Sequence, residues 1–485
     1  MFRQMAGLRR VHFVGIGGAG MSGIAEVLLD YDIEVTGSDQ AASEATRRLE
    51  ELGIPVAIGH AADHVHGADL VVRSSAIRED NPEVVAARRR GITVIRRAEM
   101  LAELMRLKYG IAIAGTHGKT TTTSLVGTML TEAGLDPTVI VGGRLRVSGT
   151  GARLGKSTYL VAEADEFDRS FLRLAPILAV ITTIDVDHLD TYRDLDDIRD
   201  AFAQFAGSVP FFGQVITCLD DPNVQALLPR LAERRVVTYG FSPQADLVAM
   251  DVRSEGGGSR FTVRHAQRGT LGEITLPLPG RHNVQNALAA VAVALAVGLD
   301  FAEIARGIAA FTGVHRRFER LGTFGGAVVV DDYAHHPVEV AATLQAAREA
   351  FPAARVVAVF QPHLYSRTQQ LAAEFGRSLL GADVAWVTDV YAAREEPIPG
   401  VGGELVVEAA RASGHRNVRF CPDWRELPAA LAETLGPGDL LLTMGAGDVY
   451  KLGHSLVASG GGPGGERGGE GAAAPGAARS PGGAA

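Results

Sequence analysis

Residues 115–122 read Gly115-Thr116-His117-Gly118-Lys119-Thr120-Thr121-Thr122 and follow the apolar run YGIAIA. The glycines let the backbone turn tightly, so that several N–H groups can point at one phosphate. A helix that opens after the turn adds the positive end of its dipole. Lys119 can then reach the outer phosphates of ATP, and the hydroxyl of Thr120 can bind Mg²⁺. We therefore predict that this segment is a phosphate loop that binds ATP.

This loop is shorter than the usual phosphate loop. The usual spacing has a glycine five residues before Gly118, where this chain has Ile113. An ordinary turn between a strand and a helix is the alternative interpretation. Lysine is rare in the chain, which favours a functional role for one at this position. The lysines are Lys108, Lys119, Lys156 and Lys451.

A second glycine-rich turn follows the first predicted strand. Gly15, Gly17 and Gly20 form the pattern G-x-G-x-x-G after VHFVGI, and Asp39 ends the second predicted strand, IEVTGSD. This spacing is typical of a Rossmann-type diphosphate site with an acidic residue beside a ribose or a base. The glycines do not identify the nucleotide, and a turn of this kind need not bind anything.

Short β-type runs alternate with helical runs through the first hundred residues, up to the predicted strand ADLVVRSSAI (68–77). This rhythm predicts a parallel sheet with helices on both faces. It restarts at YGIAIAGTHGKT and again near His315, and short alternating runs between about 245 and 279 indicate hairpins. The apolar stretch 287–299 is too short to cross a bilayer and is predicted to be a buried helix.

The chain is therefore predicted to be an α/β protein of three domains with a disordered tail. Its parts are a Rossmann-like N-terminal domain, a P-loop-type central ATPase domain, a Rossmann-like C-terminal domain and a Gly/Ala-rich tail, at 1–108, 109–314, 315–458 and 459–485. A net charge of −9 argues against a nucleic-acid binder. Two cysteines far apart in sequence suggest no disulfide framework, and we expect a cytoplasmic protein.

Two acidic clusters follow the phosphate loop along the chain. Glu163 and Asp165 lie in AEADEFD after one predicted strand, and Asp187, His188 and Asp190 lie in DVDHLDTY after another. Mg²⁺ prefers hard oxygen ligands beside substrate phosphates. Helix capping is the alternative for any single aspartate, but two clusters at neighbouring strand ends favour a metal site.

Polar residues also crowd two later strand ends, in DDYAHHP (331–337) and QPHLYSRT (361–368). A strand end needs one turn residue, not several side chains with hydrogen-bonding tips, so both segments are predicted to carry function. The segment HNVQNALAA, which starts at residue 282, is open to either interpretation, because polar groups at a helix start are most often caps.

Seven motifs together resemble those of the Mur ligases of bacterial cell-wall synthesis, in the same order, from about residue 11 to residue 455. They are HFVGIGGAGMSG, GTHGKTTT, EADE, DHLDTY, HNVQNALAA, DDYAHHP and QPHLYSRT. The resemblance implies an ATP-dependent ligase that uses Mg²⁺. It implies that L-alanine is joined to the lactyl carboxylate of UDP-N-acetylmuramate through an acyl phosphate, in peptidoglycan precursor synthesis.

The resemblance assigns the UDP part of the sugar nucleotide to the first domain. The residues implied for the diphosphate are Gly15, Gly17, Gly18 and Gly20. Those implied for the uridine are Asp39, Ser74 and Ser75.

The resemblance assigns ATP and the amino acid to the other two domains. ATP would be held by Gly115, Thr116, His117, Gly118, Lys119, Thr120, Thr121, Asn283, Asn286, Arg317 and Asp332. The metal would be bound by Thr120, Glu163 and His188, and the amino acid by His335, His363 and Arg367. The implied catalytic residues are Lys119, His188, Arg317 and His335, with the two histidines as alternatives for the base that deprotonates the alanine ammonium.

The chain departs from the family pattern in one place and differs from the sister ligases in another. Many family members carry arginine where this chain has Leu364, within the implied amino-acid pocket. The sister ligases that add later residues use a carbamylated lysine on the middle domain. No lysine lies between Lys156 and Lys451, which favours the member that adds L-alanine.

Three alternative functions remain open at this point. A dehydrogenase would use the first domain for a nicotinamide dinucleotide but would leave GTHGKTTT without a role. A P-loop switch would hydrolyse ATP to move a partner. A recycling ligase would attach a whole peptide to the same sugar nucleotide. In each ligase reading the partners are small molecules, with no nucleic acid or membrane, and the chain is expected to be a monomer or a weak homodimer.

Overall fold

The computed structural model describes residues 8–29, 31–142, 151–188, 191–393 and 395–459. Within these ranges the chain forms three α/β units, each built around its own sheet. The predicted α/β architecture with three domains is confirmed. The predicted tail falls outside the described residues, apart from Ser459.

The first sheet is wholly parallel and has the order β3-β2-β1-β4-β5 within the described ranges. Its strands are β1 (Arg10–Val14), β2 (Glu34–Asp39), β3 (Val56–Ile58), β4 (Leu70–Arg73) and β5 (Thr93–Arg96). Its helices are α1 (Ala19–Leu29), α2 (Glu44–Glu51), α3 (Pro82–Arg89) and α4 (Arg97–Arg106). The strand predicted over 68–77 was too long, because β4 ends at Arg73 and the chain then turns at Ser74 and Ser75.

The second sheet has the order β15-β14-β13-β12-β11-β10-β6-β9-β7-β8 in the part of the chain that is described. Its strands are β6 (Tyr109–Ala114), β7 (Thr138–Ile140), β8 (Ala152–Arg153), β9 (Tyr159–Glu163), β10 (Leu178–Ile181), β11 (Gln214–Cys218), β12 (Val236–Gly240), β13 (Leu247–Glu255), β14 (Gly258–His265) and β15 (Gly269–Leu276). Its helices are α5 (Lys119–Glu132), α6 (Leu195–Gly207), α7 (Pro222–Gln225), α8 (Arg281–Val297) and α9 (Phe301–Ala309).

Two predictions for the second domain are confirmed. The segment 245–279 forms antiparallel strands, β13 to β15, which continue the same sheet as the phosphate-loop strand. The apolar stretch 287–299 lies largely in α8, and its residues 287–294 are buried against α5 and the sheet. Among the described residues, no helix combines the length and the apolar character that crossing a membrane requires.

The third sheet has the order β16-β17-β21-β18-β19-β20 over the described residues, and only its edge strand β16 runs antiparallel to its neighbour. Its strands are β16 (Glu319–Phe324), β17 (Ala327–Asp332), β18 (Arg355–Phe360), β19 (Val384–Val387), β20 (Val418–Phe420) and β21 (Asp439–Met444). Its helices are α10 (Pro337–Ala350), α11 (Tyr365–Ser378), α12 (Gly403–Ala412), α13 (Leu427–Thr434) and α14 (Tyr450–Ser459).

The polar motifs lie where parallel strands end, which is where open α/β sheets bind ligands. The phosphate loop joins β6 to α5 in the second domain, and the segment 333–336 joins β17 to α10 in the third. Direct contacts bring these edges of the two sheets together. His117 Nδ1 lies 3.1 Å from Glu339 Oε1, and Arg367 donates to Asp187 at 2.8 Å.

We expect the antiparallel strands of the second domain to unfold together with its parallel strands. Phe261 on β14 is fully buried in a core that includes α5 and α8, so Phe261→Ala should lower the free energy of unfolding by about 3–5 kcal/mol. Phe211→Ala is the control, because that ring is 87% exposed and its loss should change the value by less than about 0.5 kcal/mol. Denaturant unfolding followed by circular dichroism measures both. A separate early transition in Phe261→Ala alone would contradict this expectation.

Candidate functional site

The phosphate loop has the backbone shape that its glycines permit. Gly115 and Gly118 have φ values of +134° and +81°, which side-chain-bearing residues rarely adopt. A Cβ on Gly118 would also lie 2.3 Å from Oδ1 of Asn286, so helix α8 packs directly against the turn. The turn is therefore closed on one side by α8 and open toward the third domain, with α5 starting at Lys119.

Lys119 is held inside this loop by three hydrogen bonds. Its Nζ donates to the carbonyl oxygens of Gly115 at 2.7 Å and Thr116 at 3.2 Å, and to Glu166 Oε1 at 2.8 Å. The two carbonyl bonds come from the loop itself, so the loop backbone orients the ammonium group. The bond to Glu166 supplies the negative charge that a phosphate oxygen would supply in an ATP complex.

Three carboxylates surround this ammonium group. Burial lowers the pKa of Lys119, but the negative charges of Glu166, Asp165 and Glu163 outweigh it and raise that pKa, so the group stays charged. Burial raises the pKa of Glu166, and Lys119 only partly opposes it. Glu166 was missed as an individual residue, although it ends the motif EADE.

Glu163 and Thr120 offer adjacent hard oxygen atoms. The Thr120 hydroxyl donates to both carboxylate oxygens of Glu163, at 3.0 and 3.1 Å, and the backbone N–H of Gly142 donates to Glu163 at 2.7 Å. Carboxylate and hydroxyl oxygens beside a phosphate loop are the donors that Mg²⁺ prefers. The residues present therefore fit a magnesium ion at this position.

His188 lies on the other acidic motif and faces the same buried charges. Its Nε2 is 3.9 Å from Glu166 Oε1 and 3.7 Å from Asp187 Oδ2, and its ring meets Phe167 edge-on at 5.1 Å. Burial lowers the pKa of His188, and the nearby Asp187 offsets this only in part. A neutral imidazole can bind a metal or accept a proton. Asp190, from the same motif, lies outside the described residues.

A cavity of about 190 Å³ separates the phosphate loop from the third domain. It is lined by residues from both domains: His117, Gly118, Thr120, Thr121, Thr182, Thr183, Cys218, Tyr239, His282, Asn283, Gln285, Asn286, Arg317, Phe318, Asp332, Val338, Glu339, Ala342 and Thr343. Most of the side chains that the sequence assigned to ATP therefore share one cleft. Among the lining residues, sequence reasoning missed Thr182 and Thr183 after β10, Cys218 on β11, Tyr239 on β12, Phe318 and the residues of α10. The predicted Lys119 is not part of this lining.

Arg317 and Asp332 are buried opposite charges on the third-domain side of this cavity. The carboxylates of Glu339 and Asp332 raise the pKa of Arg317 against the lowering effect of its burial. Burial raises the pKa of Asp332 to about 6, and Arg317 counteracts part of that rise. Asp332 accepts hydrogen bonds from the backbone N–H groups of Phe318 and Ala334, at 2.7 and 2.8 Å, which fixes its orientation.

A cluster of cationic and aromatic groups lies beside this cavity in the third domain. The rings of His335 and His363 are 5.8 Å apart, and His363 stacks on Tyr391 at 5.9 Å. Arg367 donates to Nδ1 of His363 at 3.5 Å, the limit of a hydrogen bond, and reaches Asp187 of the second domain at 2.8 Å. The structure thus brings together the three residues that were assigned to the amino acid. Asp187 is an additional partner for them.

The positive charge of Arg367 lowers the pKa values of its neighbours Asp187 and His363. Burial raises the pKa of Asp187, but Arg367 outweighs it and holds that pKa well below its usual range. Burial, with His335 and Arg367 nearby, lowers the pKa of His363 to about 4. At neutral pH the cluster therefore contains one arginine cation, one carboxylate and a neutral His363.

Hydrogen bonds join the glycine turn of the first domain to the end of β2. The N–H groups of Gly15 and Ile16 donate to the Ser38 carbonyl at 2.8 and 2.9 Å, and the N–H of Gly17 donates to Asp39 at 2.8 Å. The glycine turn and the acidic residue at the end of β2 therefore occur together in the sequence because Asp39 accepts a hydrogen bond from the turn.

A second cavity, of about 180 Å³, opens between the first and second domains. It is lined by Gly18, Gly20, Met21, Ser74, Arg97, Ile140, Val141, Gly142, Glu163 and Asp165. Ser74 therefore joins the predicted diphosphate glycines, whereas Ser75 is exposed in the turn and is absent from this lining. Glu163 connects this cavity to the phosphate loop.

Glu83 is a fully buried carboxylate beneath the first-domain turn that sequence reasoning missed. It accepts hydrogen bonds from the Ser38 hydroxyl at 2.6 Å and from the N–H of Ala61 at 3.2 Å. His64 Nδ1 lies 2.7 Å from it, and His12 Nε2 lies 3.5 Å away. Glu83 thus ties the end of β2 to the segment after β3. Only the proline before it, which starts α3, marks its position in the sequence.

Family models match all three domains of the chain. The description "Mur ligase family, catalytic domain" matches residues 10–109, "Mur ligase middle domain" matches residues 113–294, and "Mur ligase, glutamate ligase domain" matches residues 316–447.

Relatives match over nearly the whole chain. The UDP-N-acetylmuramate–L-alanine ligase of Salinibacter ruber is 55% identical over 93% of this chain and 94% of its own length. The crystal structure of the UDP-N-acetylmuramate–alanine ligase of Thermotoga maritima matches with a TM-score of 0.77 and 30% identity, over 93% of this chain and 98% of that one. The murein peptide ligase of Psychrobacter arcticus matches with a TM-score of 0.65 and 24% identity, over 93% and 99%, which shows a shared fold alone.

We expect Glu83 to stabilise the first domain in a pH-dependent way. Burial alone would raise the pKa of Glu83, but hydrogen bonds from His12, Ser38 and His64 outweigh it and lower the pKa to about 2. A lowered carboxyl pKa contributes stability above about pH 4.5 that is lost as the pH falls toward 2. Glu83→Gln should therefore remove about 3 kcal/mol at pH 6 and much less near pH 3.

Urea unfolding of the full chain at several pH values measures this difference. Glu103→Gln is the control, since Glu103 belongs to a surface ion pair with Arg106 that contributes less than about 1 kcal/mol. A destabilisation by Glu83→Gln that does not change with pH would show that the carboxylate charge is unimportant.

Proposed function

The chain belongs to the Mur ligase family, and from this premise we propose that its clefts join L-alanine to the lactyl carboxylate of UDP-N-acetylmuramate. ATP is converted to ADP and phosphate, and the enzyme is a ligase of peptidoglycan precursor synthesis. The observation that carries the site assignment is the phosphate loop with Lys119 among carboxylates, together with the pairing of Asp187 to Arg367 of the third domain.

The reaction has to activate a carboxylate, which resists attack because its charge repels nucleophiles and its oxygen is a poor leaving group. In the proposed sequence the lactyl carboxylate attacks the γ-phosphorus of ATP, forming an acyl phosphate and releasing ADP. The neutral amine of L-alanine then attacks the acyl carbon, and phosphate leaves as the amide forms. Charge stabilisation and alignment are what a protein supplies to phosphoryl transfer.

Lys119 and Arg317 supply the positive charge for the first step. Arg317 lines the cleft, and Lys119, whose side chain is only 14% exposed, lies in the phosphate loop beside it, where an ionic interaction is stronger than in water. Lys119 would exchange Glu166 for the β- and γ-phosphates while keeping its two carbonyl bonds to the loop. Arg317, from the third domain, would approach the γ-phosphate only when the two domains are in contact.

A divalent cation assists ATP in this family, and we propose Mg²⁺ held by Thr120, Glu163 and His188. When bound, such an ion neutralises phosphate charge and polarises the transferring group. Glu163 lines the cavity between the first and second domains as well as touching the phosphate loop. A lactyl carboxylate arriving there would be repelled by Glu163 and Asp165, and a bound cation would act together with Arg97, which lines the same cavity, to offset that repulsion.

The first domain would hold the sugar nucleotide by its diphosphate. A pyrophosphate would fit the glycine turn, because backbone N–H groups there can donate to it and Gly15, Gly17, Gly18 and Gly20 have no side chain to block its approach. Asp39, Ser74 and Ser75 would lie beside the uridine. With the UDP part there, the sugar would extend through the cavity that Gly18, Gly20 and Ser74 share with Glu163.

The amino acid would bind at the cationic cluster of the third domain. Arg367 can exchange Asp187 for the carboxylate of L-alanine, and Asp187 is then free to face its ammonium group. His363 completes the pocket, and Leu364 borders it where many family members have arginine. Leu364 has a φ of +68°, so the backbone there is held in a conformation unusual for leucine.

His335 is the better candidate for the base. Its Nδ1 lies 3.1 Å from the carbonyl oxygen of Tyr333, which can only accept, so Nδ1 carries the proton and Nε2 is free to take one. His188 cannot serve in both implied roles, because a nitrogen bound to a cation cannot accept a proton. We therefore propose His188 as a metal ligand and His335 as the base.

The three-domain arrangement suits a water-sensitive intermediate. An acyl phosphate hydrolyses readily, so contacts such as His117 with Glu339 would exclude water from the cleft during the reaction. The substrates are all small molecules. Because ATP and nucleotide sugars are cytoplasmic metabolites, we propose a cytoplasmic reaction, and the expectation of a monomer or weak homodimer stays a prediction.

Phosphate release tests the proposed reaction. ATP should be converted to phosphate rapidly only when UDP-N-acetylmuramate and L-alanine are both present, and glycine, L-serine and a tripeptide should be poorer acceptors. Hydroxylamine should trap the acyl phosphate as a hydroxamate when the amino acid is omitted. Phosphate release that does not depend on the sugar nucleotide would rule out the ligase reaction, and a preference for the tripeptide would indicate the recycling reaction.

Lys119→Ala should lower kcat by roughly 10³-fold or more, because it removes a buried charge that acts on the transferring phosphate. Affinity for UDP-N-acetylmuramate, measured by calorimetry, should change little, since that ligand is assigned to another domain. Lys156→Ala is the matched control, because Lys156 is exposed in the same domain. Loss of sugar-nucleotide affinity together with turnover would contradict the proposed division between domains.

A further inference from the structure

Three side chains from two domains converge beside the phosphate loop. His117 belongs to that loop, Asp185 follows β10, and His336 precedes α10. His117 Nε2 lies 3.4 Å from Asp185 Oδ2, and His336 Nδ1 lies 4.0 Å from the same oxygen. One ligand atom from each residue lies within 4.8 Å of the other two. For metal–ligand bonds of about 2.1 Å, the ligand atoms of a tetrahedral ion lie about 3.4 Å apart.

The proposed reaction uses neither Asp185 nor His336, and His336 is the unusual member of that pair. Its residue surface is only 4% exposed, yet neither ring nitrogen has a hydrogen-bond partner among the described residues. Leaving a buried polar nitrogen unpaired costs on the order of 1–3 kcal/mol, so such atoms normally have a partner. Two unpaired nitrogens on one ring, with a carboxylate 4.0 Å away, indicate a missing ligand.

Glu339 prepares His117 for metal binding. Its Oε1 lies 3.1 Å from Nδ1 of His117, and its side chain is only 14% exposed. A carboxylate that accepts the N–H of one ring nitrogen leaves the other nitrogen free for a metal, and this outer arrangement is found behind most histidine ligands. In this chain the other nitrogen is Nε2, which lies 3.4 Å from Asp185 Oδ2, and a metal ion would take a position between these two atoms.

We propose that His117, Asp185 and His336 bind a transition-metal dication of the zinc class, with a water molecule in the fourth position. Two imidazole nitrogens and one carboxylate oxygen suit Zn²⁺ or Co²⁺, whereas Mg²⁺ prefers oxygen ligands. The site is therefore distinct in chemistry from the magnesium position at Thr120 and Glu163.

An ion at this position links the second domain to the third. His117 and Asp185 belong to the sheet edge that carries the phosphate loop, and His336 lies at the start of the helix that carries Glu339. Bound metal would hold the phosphate loop against α10. Zinc-class ions would then act on domain separation rather than on phosphoryl transfer itself.

Co²⁺ titration of the full chain in saturating Mg²⁺ tests this site. Four-coordinate Co²⁺ absorbs visible light much more strongly than six-coordinate Co²⁺, so the band intensity reports the geometry and the titration gives the stoichiometry and affinity. We expect one such ion per chain, displaced by Zn²⁺. His336→Asn and Asp185→Asn should each weaken binding at least tenfold, and Glu339→Gln about tenfold or more.

Two control variants locate the bound ion. Glu163→Gln should keep the intense band, which separates this site from the magnesium position. His415→Asn should also keep it, because His415 is another buried histidine of the third domain but lies outside the trio. Thermal melting without metal checks folding, and if one ligand variant does not fold, the other decides.

Three results would overturn the proposal. The first is a weak Co²⁺ spectrum, typical of six-coordination. The second is a Co²⁺ affinity that is unchanged in both His336→Asn and Asp185→Asn. The third is loss of the intense Co²⁺ band in Glu163→Gln alone. The first of these would mean that His117 only forms an ionic bridge between Asp185 and Glu339.

Discussion

The buried ammonium group of Lys119 is the charge on which the arrangement of the site depends. Two loop carbonyls orient it, and the carboxylates around it keep it protonated. A buried ion pair is tolerated only when its hydrogen bonds are well made, and the pair of Lys119 with Glu166 meets that condition. In the proposed reaction, a triphosphate would therefore take the place of Glu166 as the partner of Lys119.

The same reasoning extends across the boundary between the second and third domains. Arg367 pairs with Asp187, and His117 pairs with Glu339, so each domain neutralises buried charges of the other. In the proposed reaction, a substrate group would replace one member of such a pair. Arg367, for example, would exchange the carboxylate of Asp187 for the carboxylate of the amino acid. In the proposed reaction, contact between the domains and assembly of the site would therefore be one event, which suits chemistry that must exclude water.

Motifs whose parts lie close together in the chain could be predicted well. The phosphate loop, the glycine turn and the hairpins of 245–279 all appear where their spacing indicated. Short strands and the exact ends of strands could not be predicted well. Strands β7 and β8 have three and two residues, too few for a periodic pattern, and β4 ends at Arg73 because the chain turns there instead of continuing to residue 77.

The amino-acid sequence by itself determined the local chemistry: a lysine and a threonine at a helix start, glycines in tight turns, and acids at strand ends. These follow from contacts within about eight residues, which spacing and backbone preference control. Only the tertiary structure decided the partners. His117 and Glu339 are 222 residues apart, and Lys119 and Glu166 are 47 apart. Such pairs form because sheet order and domain packing bring strand ends together, and no local pattern in the chain encodes that distance.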